Sequence, residues 1–468
     1  MFAETLLDTV VAGIATLPLR QFVEDVSNDV KNPVMDEKLH FPQLKTIASG
    51  DYTTWNDKIS TPPGLYYLSL LYAKISNSEI TLSNMRYFNF LGGVLLAMLV
   101  MLIRFKNKEA GFSAVSILLN PLIAIYYSLF YPDVWASVFI VAAYAVIVWK
   151  PKNSYILSAI MSAILGSLSV TFKQSNIVWV FFIGAVIVDS IVKDGKKYKY
   201  GEGIGDTLTF IKTGLANLTT LIPFIIVGVA FFTFVYQNGG VALGDKENQI
   251  IVPHLAQICY CVTFIMIFTI PIWISSRTFV DYVNDNLFSI SGLMFNAAWI
   301  PILYIVIENF TIIHPSMLSD NRHYVFYFIR LLIVREEKAR LQLIPVYHFS
   351  FYIIWKLFKN NYDNNTPNKR TAASPLIFYS FMICLSISVM LTPMFDLRYY
   401  IVPMIFFRLF VSTISEPVLP INILHTYNTE IRYTGEGIWL WMWTQFIYIS
   451  FLKYTFKYGS EVVERVIW

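Results

Sequence analysis

Apolar runs long enough to cross a lipid bilayer recur from one end of the chain to the other. Windows such as 85–104, 133–149 and 290–310 approach the length of about 20 residues that an α-helix needs to span the hydrocarbon core. In that core every backbone amide and carbonyl must be bonded within the protein, so these runs restrict the chain to a helical bundle. The sequence therefore predicts an all-α polytopic membrane protein.

The composition agrees with a chain that lies almost wholly in the membrane. Charged residues supply only 14% of the 468 residues, against about 25% in a soluble domain. We therefore expect a single membrane-embedded domain over residues 1–468. A net charge of +4 gives no support for nucleic-acid binding. Cys259, Cys261 and Cys384 lie in apolar stretches, which indicates buried side chains and not a zinc centre.

The number of crossings follows from the apolar runs, and we expect about twelve to fourteen. Leu6 to Leu19 has no basic segment before it, which favours an uncleaved first span over a signal peptide. Segment 62–78 begins with two prolines and is short for a crossing, so we expect a helix along the membrane surface. The candidate spans are 5–20, 85–104, 112–130, 133–149, 154–171, 174–192, 218–236, 254–275, 290–310, 323–336, 343–358, 375–392, 399–414 and 438–456.

Charge predicts which loops share a face. Basic clusters at 104–108, 150–152 and 193–199 follow every second span, which is typical of cytosolic loops. The acidic loop 21–61, which with its surface helix makes a first loop of 21–84, then faces the opposite side, lumenal or external. Two further stretches, 237–253 and 311–322, fall on the same side, and we expect the three to meet on one surface. Beyond Arg330 the basic residues indicate no consistent side, so the side of 396–400 stays open.

Two adjacent carboxylates, Asp36 and Glu37, stand in the acidic loop. Neighbouring side chains point in different directions, so only one of the two can address a given reacting atom. A carboxylate there is able to act as a general base on a hydroxyl held within about 3 Å. The alternative is an ordinary solvated acidic loop.

Cationic side chains at span ends indicate a phosphate site. Arg322 offers a planar fork of donors that suits phosphate oxygens, with His323 and Tyr324 beside it,. The alternative is that Arg322 pairs with Asp320. Lys173 is also placed to neutralise a phosphate, or else it only reaches to the interface, as lysines at span ends commonly do.

Two weaker patterns leave their alternatives open. Arg398, followed by two tyrosines, repeats the theme of Arg322, although interfacial tyrosines are common anchors,. His314 and His323 have no third ligand spaced to help them bind a metal,. We therefore predict no metal site.

A series of motifs runs in order from residue 33 to about residue 403. They are MDEKLHFPQ at 35–43, WNDKISTPPGLY at 55–66, KQSNIVW at 173–179, GDK at 244–246, DNRHY at 320–324 and RYY at 398–400, and the chain closes with ERVIW at 464–468. The pattern resembles the dolichyl-phosphoglucose-dependent α-1,2-glucosyltransferases of the endoplasmic reticulum, which add the terminal glucose to the lipid-linked oligosaccharide of N-glycosylation. The acidic pair and the Pro-Pro turn are also similar to the wider GT-C class of polyprenyl-phosphosugar transferases.

The resemblance implies an inverting transfer in which Asp36 is the base, while Glu37 holds acceptor hydroxyls or positions the loop. Glu37→Gln is then expected to have a mild effect. The resemblance further implies donor-phosphate binding by Arg322, His323, Lys173 and Arg398. It implies substrate binding by His40, Gln43, Trp55, Asp57, Asp245, Asn321 and Tyr324.

It also implies a multi-pass protein of the endoplasmic reticulum membrane with a lumenal active site and a GT-C-like bundle. The substrates would be dolichyl-phosphoglucose and the dolichyl-diphosphate-linked oligosaccharide. No cofactor or divalent metal is demanded, because arginine and lysine supply positive charge. A transporter or channel is the main alternative, since polar residues in a many-span protein can line a pathway. A scaffold subunit is the third.

Overall fold

The computed structural model describes residues 2–107, 114–151, 154–194, 204–247, 249–336, 338–363, 374–414, 428–458 and 462–467. The chain divides into two compact units. Met1–Leu119, Ile123–Gln249 and Ser374–Cys384 form the first unit, and Asn120–Leu122, Ile250–Ala373 and Leu385–Trp468 form the second.

Helices dominate the described residues before position 250. They are α1 (Phe2–Asp29), α2 (Glu37–Ala48), α3 (Gly64–Ser76), α4 (Leu82–Lys106), α5 (Val115–Leu118), α6 (Pro121–Ala124), α7 (Asp133–Trp149), α8 (Tyr155–Val170), α9 (Ile177–Asp194), α10 (Ile204–Ala216) and α11 (Leu218–Asn238). Short 3₁₀ turns at Ile125–Ser128 and Gln174–Asn176 precede α7 and α9.

Helices also dominate the described residues after position 250, and a small hairpin follows the last of these helices. The helices are α12 (Ala256–Phe268), α13 (Ile270–Trp273), α14 (Ser276–Val283), α15 (Ile290–Asn309), α16 (Pro315–Ser319), α17 (Tyr324–Phe328), α18 (Ile344–Asp363), α19 (Pro375–Met390), α20 (Ile401–Phe410) and α21 (Asn428–Lys453). Strands β1 (Thr455–Tyr458) and β2 (Val462–Arg465) pair antiparallel. Helix α10, helix α14 and this hairpin are not among the predicted elements.

Among the residues that the structure describes, four helical segments are long and apolar enough to cross a membrane. They are Leu82–Lys106, Gln174–Asp194, Leu218–Asn238 and Ile290–Asn309. A fifth is added if Pro121–Ser128 and Asp133–Trp149, which meet at 119°, count as one broken span. The all-α polytopic membrane fold is thereby confirmed, while the expected twelve to fourteen crossings stay a prediction.

Two of the differences between the predicted and the observed boundaries have an evident physical cause. Helix α1 runs to Asp29 instead of ending near residue 20, because side-chain bonds one turn apart, Arg20 to Glu24 and Gln21 to Asp25, support its polar end,. The expected span 112–130 is broken between α5 and α6. Pro121 has no amide hydrogen and disfavours helical geometry at the residue before it.

The first unit holds its helices close together with small residues. A Cβ on Gly93 would fall 2.6 Å from the ring of Tyr127, and one on Gly92 would fall 2.9 Å from Val134. The Ser169 hydroxyl donates across to the Ala136 carbonyl at 2.7 Å. Small residues of this kind allow backbones to approach closely where both helices are apolar.

The second unit contains a fully buried ion pair of its own. The Arg408 guanidinium donates to both carboxylate oxygens of Glu436, at 2.7 and 2.8 Å, and neither side chain is more than 1% exposed. A bidentate pair is the arrangement that best offsets the cost of removing two charges from water. This pair ties α20 to α21.

Candidate functional site

The acidic pair lies on a tight turn that leads into α2. Met35 has a φ of +46°, a left-handed conformation that costs a non-glycine residue about 1–3 kcal/mol. Asp36 is the N-cap residue of α2, and its side chain makes no capping bond to the helix. The turn therefore presents Asp36 and Glu37 in different directions, as their adjacency predicts.

Glu37 points inward and is bonded at every side. Its carboxylate accepts from the Arg86 Nε at 3.0 Å and from the Arg86 Nη2 at 2.6 Å. It also accepts from the backbone amides of Val34 at 3.1 Å and Phe130 at 2.8 Å. Both members of the ion pair are 1% exposed or less. Glu37 thus connects the turn by hydrogen bonds to Arg86 of α4 and to the backbone that precedes α7.

Arg86 also bonds the end of α1 and the residue that follows it. Its Nη1 donates to the carbonyls of Val30 at 2.6 Å and Val26 at 3.3 Å. A guanidinium offers five donors in a rigid fork, and this one spreads them over α1, the following loop and Glu37. The backbone that leads into Asp36 is therefore held from two sides.

Asp36 is only half-buried. Its backbone amide donates to the Tyr131 hydroxyl at 3.0 Å. Burial, and next the negative charge of Asp36, raise the pKa of Tyr66 well above its usual value. The Tyr66 hydroxyl in turn lies 2.7 Å from the Nδ1 of His40. Asp36 thus stands beside an aromatic cluster formed by His40, Tyr66 and Tyr131.

The neighbouring predicted substrate residues shape the loop after α2. The Gln43 amide donates to the Thr54 carbonyl and accepts from the Asn56 amide, each at 2.9 Å. The Trp55 ring packs edge-on to Tyr66, with centroids 5.8 Å apart. Gln43 therefore holds the loop that carries Trp55 against the aromatic cluster.

A second loop is joined to the first one by backbone contacts. The Asp245 amide donates to the Asp57 carbonyl at 2.6 Å, and the Leu243 amide donates to the Ser60 carbonyl at 3.0 Å. A Cβ on Gly244 would overlap the Asp57 carbonyl, so only glycine permits this approach. The stretches around residues 57 and 245, which the sequence assigns to separate loops, meet in the first unit.

Residues 171–174 close the same part of the unit. The Gln174 amide donates to the Ser60 carbonyl at 2.6 Å and to the Val241 carbonyl at 3.3 Å. The Gly64 amide donates to the Thr171 carbonyl at 3.0 Å, and a Cβ on Gly64 would fall 2.6 Å from that oxygen. Glycine at position 64 therefore permits the two backbone segments to approach this closely.

Lys173 is paired within this region. Its Nζ lies 2.6 Å from the Asp133 Oδ1, and the two side chains are 13% and 4% exposed. A lysine that only reached to the interface would be more exposed than this. Its positive charge is held by a carboxylate at the start of α7.

The second unit contains two arginines in the same local geometry. Arg322 donates to Asp320 through its Nε at 2.8 Å and its Nη2 at 2.6 Å, and its backbone amide bonds the same carboxylate at 3.0 Å. Arg398 repeats this with Asp396, through its Nε at 2.7 Å and its amide at 2.9 Å. In both, an aspartate two residues earlier fixes the direction of the guanidinium fork.

The ion pair of Arg322 also sets the charge of its partner. Burial disfavours the charged carboxylate of Asp320, but the hydrogen bonds from Arg322 outweigh it and hold the pKa of Asp320 below its usual value. The alternative pairing of Arg322 with Asp320 is present. Even in this ion pair, 28% of the Arg322 side chain stays exposed.

The structure thus gathers part of the predicted site in each unit. In the first unit contacts link Asp36, His40, Gln43, Trp55, Asp57, Lys173 and Asp245. The second unit holds Asn321, Arg322, His323, Tyr324 and Arg398. Among the described residues no three His, Cys, Asp or Glu side chains are grouped as metal ligands.

Three residues at the site are not singled out by the sequence, namely Arg86, Tyr131 and Asp133. A signal for two of them exists, because Arg86 and Asp133 are charges within apolar runs, and such charges are costly unless they are paired. Tyr131 carries no such signal, since an aromatic residue in an apolar run is ordinary.

Comparison with known proteins identifies the family. The DIE2/ALG10 family matches residues 30–409. A protein of Debaryomyces hansenii is 32% identical over 459 residues, 95% of each chain. One from Candida albicans is 32% identical over 83% of this chain and 86% of its own. One from Homo sapiens is 26% identical over 82% and 85%.

All three relatives are named Dol-P-Glc:Glc(2)Man(9)GlcNAc(2)-PP-Dol alpha-1,2-glucosyltransferase. No solved structure matches this chain. The resemblance seen in the motifs is confirmed, and the chain belongs to the DIE2/ALG10 family.

Proposed function

We propose that this chain transfers glucose from dolichyl-phosphoglucose to the 2-hydroxyl of the terminal glucose on the diglucosylated lipid-linked oligosaccharide. The family match over residues 30–409 and the names of the relatives support this reaction. The observation that carries the site assignment is the difference in burial within one dipeptide: Glu37 is fully buried against Arg86, while Asp36 is half-buried.

Asp36 is the base in this proposal. The acceptor hydroxyl oxygen attacks the anomeric carbon of the donor glucose, its proton passes to the Asp36 carboxylate, and the bond to the phosphate oxygen breaks. The donor sugar is β-linked and the product is α-linked, so the attack is in line and one base suffices. Glu37 positions the loop, because its carboxylate is already bonded to Arg86 and two backbone amides.

The departing group is dolichyl phosphate, and the protein stabilises the charge that moves onto its oxygens. Arg322, His323, Lys173 and Arg398 supply the positive field. Three of these cations are held by an aspartate, at 2.6 Å for Lys173 and Arg322 and 2.7 Å for Arg398. A side chain that is already oriented loses less entropy when it binds a ligand.

The acceptor sugar is bound by polar and aromatic side chains near Asp36. His40, Trp55, Asp57 and Asp245 contribute from the first unit, together with the loop that Gln43 shapes. Asn321 and Tyr324 are the predicted substrate-binding residues of the second unit. The reaction needs no divalent metal, since it does not depend on activating water and the cations supply the charge.

The reaction is that of a multi-pass enzyme of the endoplasmic reticulum membrane, with the oligosaccharide approaching from the lumen. Its partners are the two dolichol-linked substrates and the bilayer. Membership of a family whose relatives are named glucosyltransferases favours this function over a transporter or channel.

The direct test uses membranes from cells that lack the endogenous enzyme, with and without this chain. Dolichyl-phosphoglucose and the diglucosylated lipid-linked glycan are supplied, and the released glycans are separated by size. We expect the triglucosylated product only where the chain is present. Binding of donor lipid without any product would favour the scaffold alternative instead.

A further inference from the structure

The end of the chain is attached to the loop that carries Arg322. After β2 the backbone continues alongside residues 322–324 as a parallel bridge between His323 and Ile467. The Ile467 amide donates to the Arg322 carbonyl at 2.8 Å, and the Tyr324 amide donates to the Ile467 carbonyl at 3.0 Å. His323 is therefore bracketed by two backbone hydrogen bonds from one tail residue.

A tail side chain also reaches the guanidinium itself. Glu464, only 4% exposed, places its Oε1 3.4 Å from the Arg322 Nη1. Asp320 bonds the Nε and the Nη2 of the same group. The fork of Arg322 is therefore flanked by one carboxylate from its own loop and one from the tail.

The tail is anchored in turn to the helix before it. The Arg465 Nη1 donates to the Phe451 carbonyl at 3.0 Å and to the Leu452 carbonyl at 2.7 Å. These are carbonyls in the last turn of α21, where acceptors lack partners within the helix. Ile467 is 2% exposed, so the tail is packed as well as hydrogen-bonded.

We propose that residues 464–467 position Arg322 and His323 for the phosphate of the lipid donor. The inference rests on the proposed function, because it deepens the role given there to Arg322. The tail fixes the backbone on both sides of His323 and the direction of the arginine fork. A cation held in place before the ligand arrives binds a phosphate more tightly than one that must be ordered at that moment. The tail residues act through Arg322 and touch no reacting atom.

The test removes one backbone hydrogen bond between the tail and the Arg322 loop. Ile467→Pro deletes the amide hydrogen that bonds the Arg322 carbonyl. Ile467→Ala is the matched control, because it also loses the side chain but keeps the amide. Both variants are assayed in full-length protein with dolichyl-phosphoglucose titrated at saturating acceptor, and then with the acceptor titrated at saturating donor.

We expect Ile467→Pro to raise the donor KM over that of Ile467→Ala by about three- to tenfold, the size that loss of one hydrogen bond produces. The acceptor KM stays the same in both. A merely structural role for the tail would lower the amount of active enzyme, and hence the maximal rate per total protein, and would leave both KM values unchanged. That pattern overturns the proposal.

Backbone hydrogen exchange over 320–327 provides a readout that does not depend on activity. We expect faster exchange in Ile467→Pro than in Ile467→Ala. Faster exchange with an unchanged donor KM, or unchanged exchange, contradicts the positioning role. Wild-type protein that exchanges slowly at 320–327 but transfers no glucose would instead contradict the proposed function, so the two failures are distinguishable.

Discussion

The two units each contain a bidentate arginine–carboxylate pair beside a predicted site residue, and the pairs differ in burial. In the first unit Arg86 and Glu37 are 1% and 0% exposed. In the second unit Arg322 and Asp320 are 28% and 25% exposed. The first pair is also bonded by backbone groups from three segments, whereas the second closes a turn of three residues.

The difference in burial suits the two ion pairs to different tasks: the buried pair to holding the backbone in place, and the more exposed pair to binding a ligand. A fully buried pair cannot give up a partner, because the charge left behind would cost several kcal/mol. A half-exposed pair is worth little, because water screens both charges. Arg322 can therefore exchange a carboxylate for a phosphate at small cost, while Arg86 keeps the turn before Asp36 fixed. Substitutions on both sides of this contrast test it.

The largest effect is expected for Asp36→Asn, which keeps the shape of the side chain and removes the base. We expect kcat for glucose transfer to fall by about 100- to 10,000-fold, with an unchanged thermal unfolding midpoint. Asp29→Asn, an exposed carboxylate at the end of α1, is the control and keeps the wild-type rate. Near-wild-type transfer by Asp36→Asn would show that another group is the base.

The buried pair is expected to dominate stability. Arg86→Met leaves Glu37 unpaired inside the protein, and we expect a loss of about 3–5 kcal/mol in the free energy of unfolding. Arg20→Met is the matched control, since Arg20 is 64% exposed in its pair with Glu24 and such pairs contribute about 1 kcal/mol or less. Equal losses in denaturant unfolding would contradict the contrast.

The same burial changes the expectation for Glu37→Gln. The sequence predicts a mild effect, whereas the structure predicts a large loss of stability, because a neutral amide leaves Arg86 without its counter-charge.

Tyr131→Phe tests how Asp36 is positioned. The change removes the hydroxyl that accepts from the Asp36 amide, and we expect kcat to fall by about two- to tenfold. Tyr127→Phe is the control, because that buried hydroxyl has no hydrogen-bond partner among the described residues. A loss of activity in both variants, or in neither, would remove Tyr131 from the positioning of the base.

Arg322→Lys keeps the charge of the side chain and removes the fork. We expect the donor KM to rise by about tenfold, since lysine offers a point charge in place of two parallel donors. Arg277→Lys, at a 72% exposed arginine 3.8 Å from Asp281, is expected to leave that KM unchanged. An equal shift in the acceptor KM would argue against a donor-phosphate role for Arg322.

The smallest effect concerns the pH dependence of stability. The pKa of Asp320 lies below its unfolded value, so the folded state binds this proton less readily than the unfolded one. Its contribution is present above the unfolded pKa and is lost as the pH falls. We expect the unfolding temperature of Asp320→Asn to fall less steeply than that of the wild type between about pH 5 and pH 3. Parallel curves would contradict this.

Much of the fold could be predicted, because a bilayer leaves the backbone few choices. Helices α7, α8 and α15 begin and end within a residue or so of the predicted spans. The positions at which helices are interrupted or end were harder to predict. Pro121 interrupts an apolar run, and the polar end of α1 is helical through side-chain bonds that hydropathy does not register.

The predicted site was incomplete because pairing is a property of space and not of sequence. Nothing near residue 37 in the chain indicates that its partner is Arg86, or that Asp133 is the partner of Lys173. The hairpin that reaches Arg322 was not expected either, since its strands are short and its contacts are made largely by backbone atoms.

The sequence by itself determined the membrane class, the family and which residues carry charge where charge is costly. The hydrophobicity of a segment is the sum over its residues, and a motif is a short run of residues in order. Both can therefore be recognised without coordinates. Only the tertiary structure decided the different surroundings of two adjacent carboxylates. Burial and hydrogen bonding depend on what lies opposite a side chain, and these surroundings fix Glu37 to Arg86 while leaving Asp36 half-exposed.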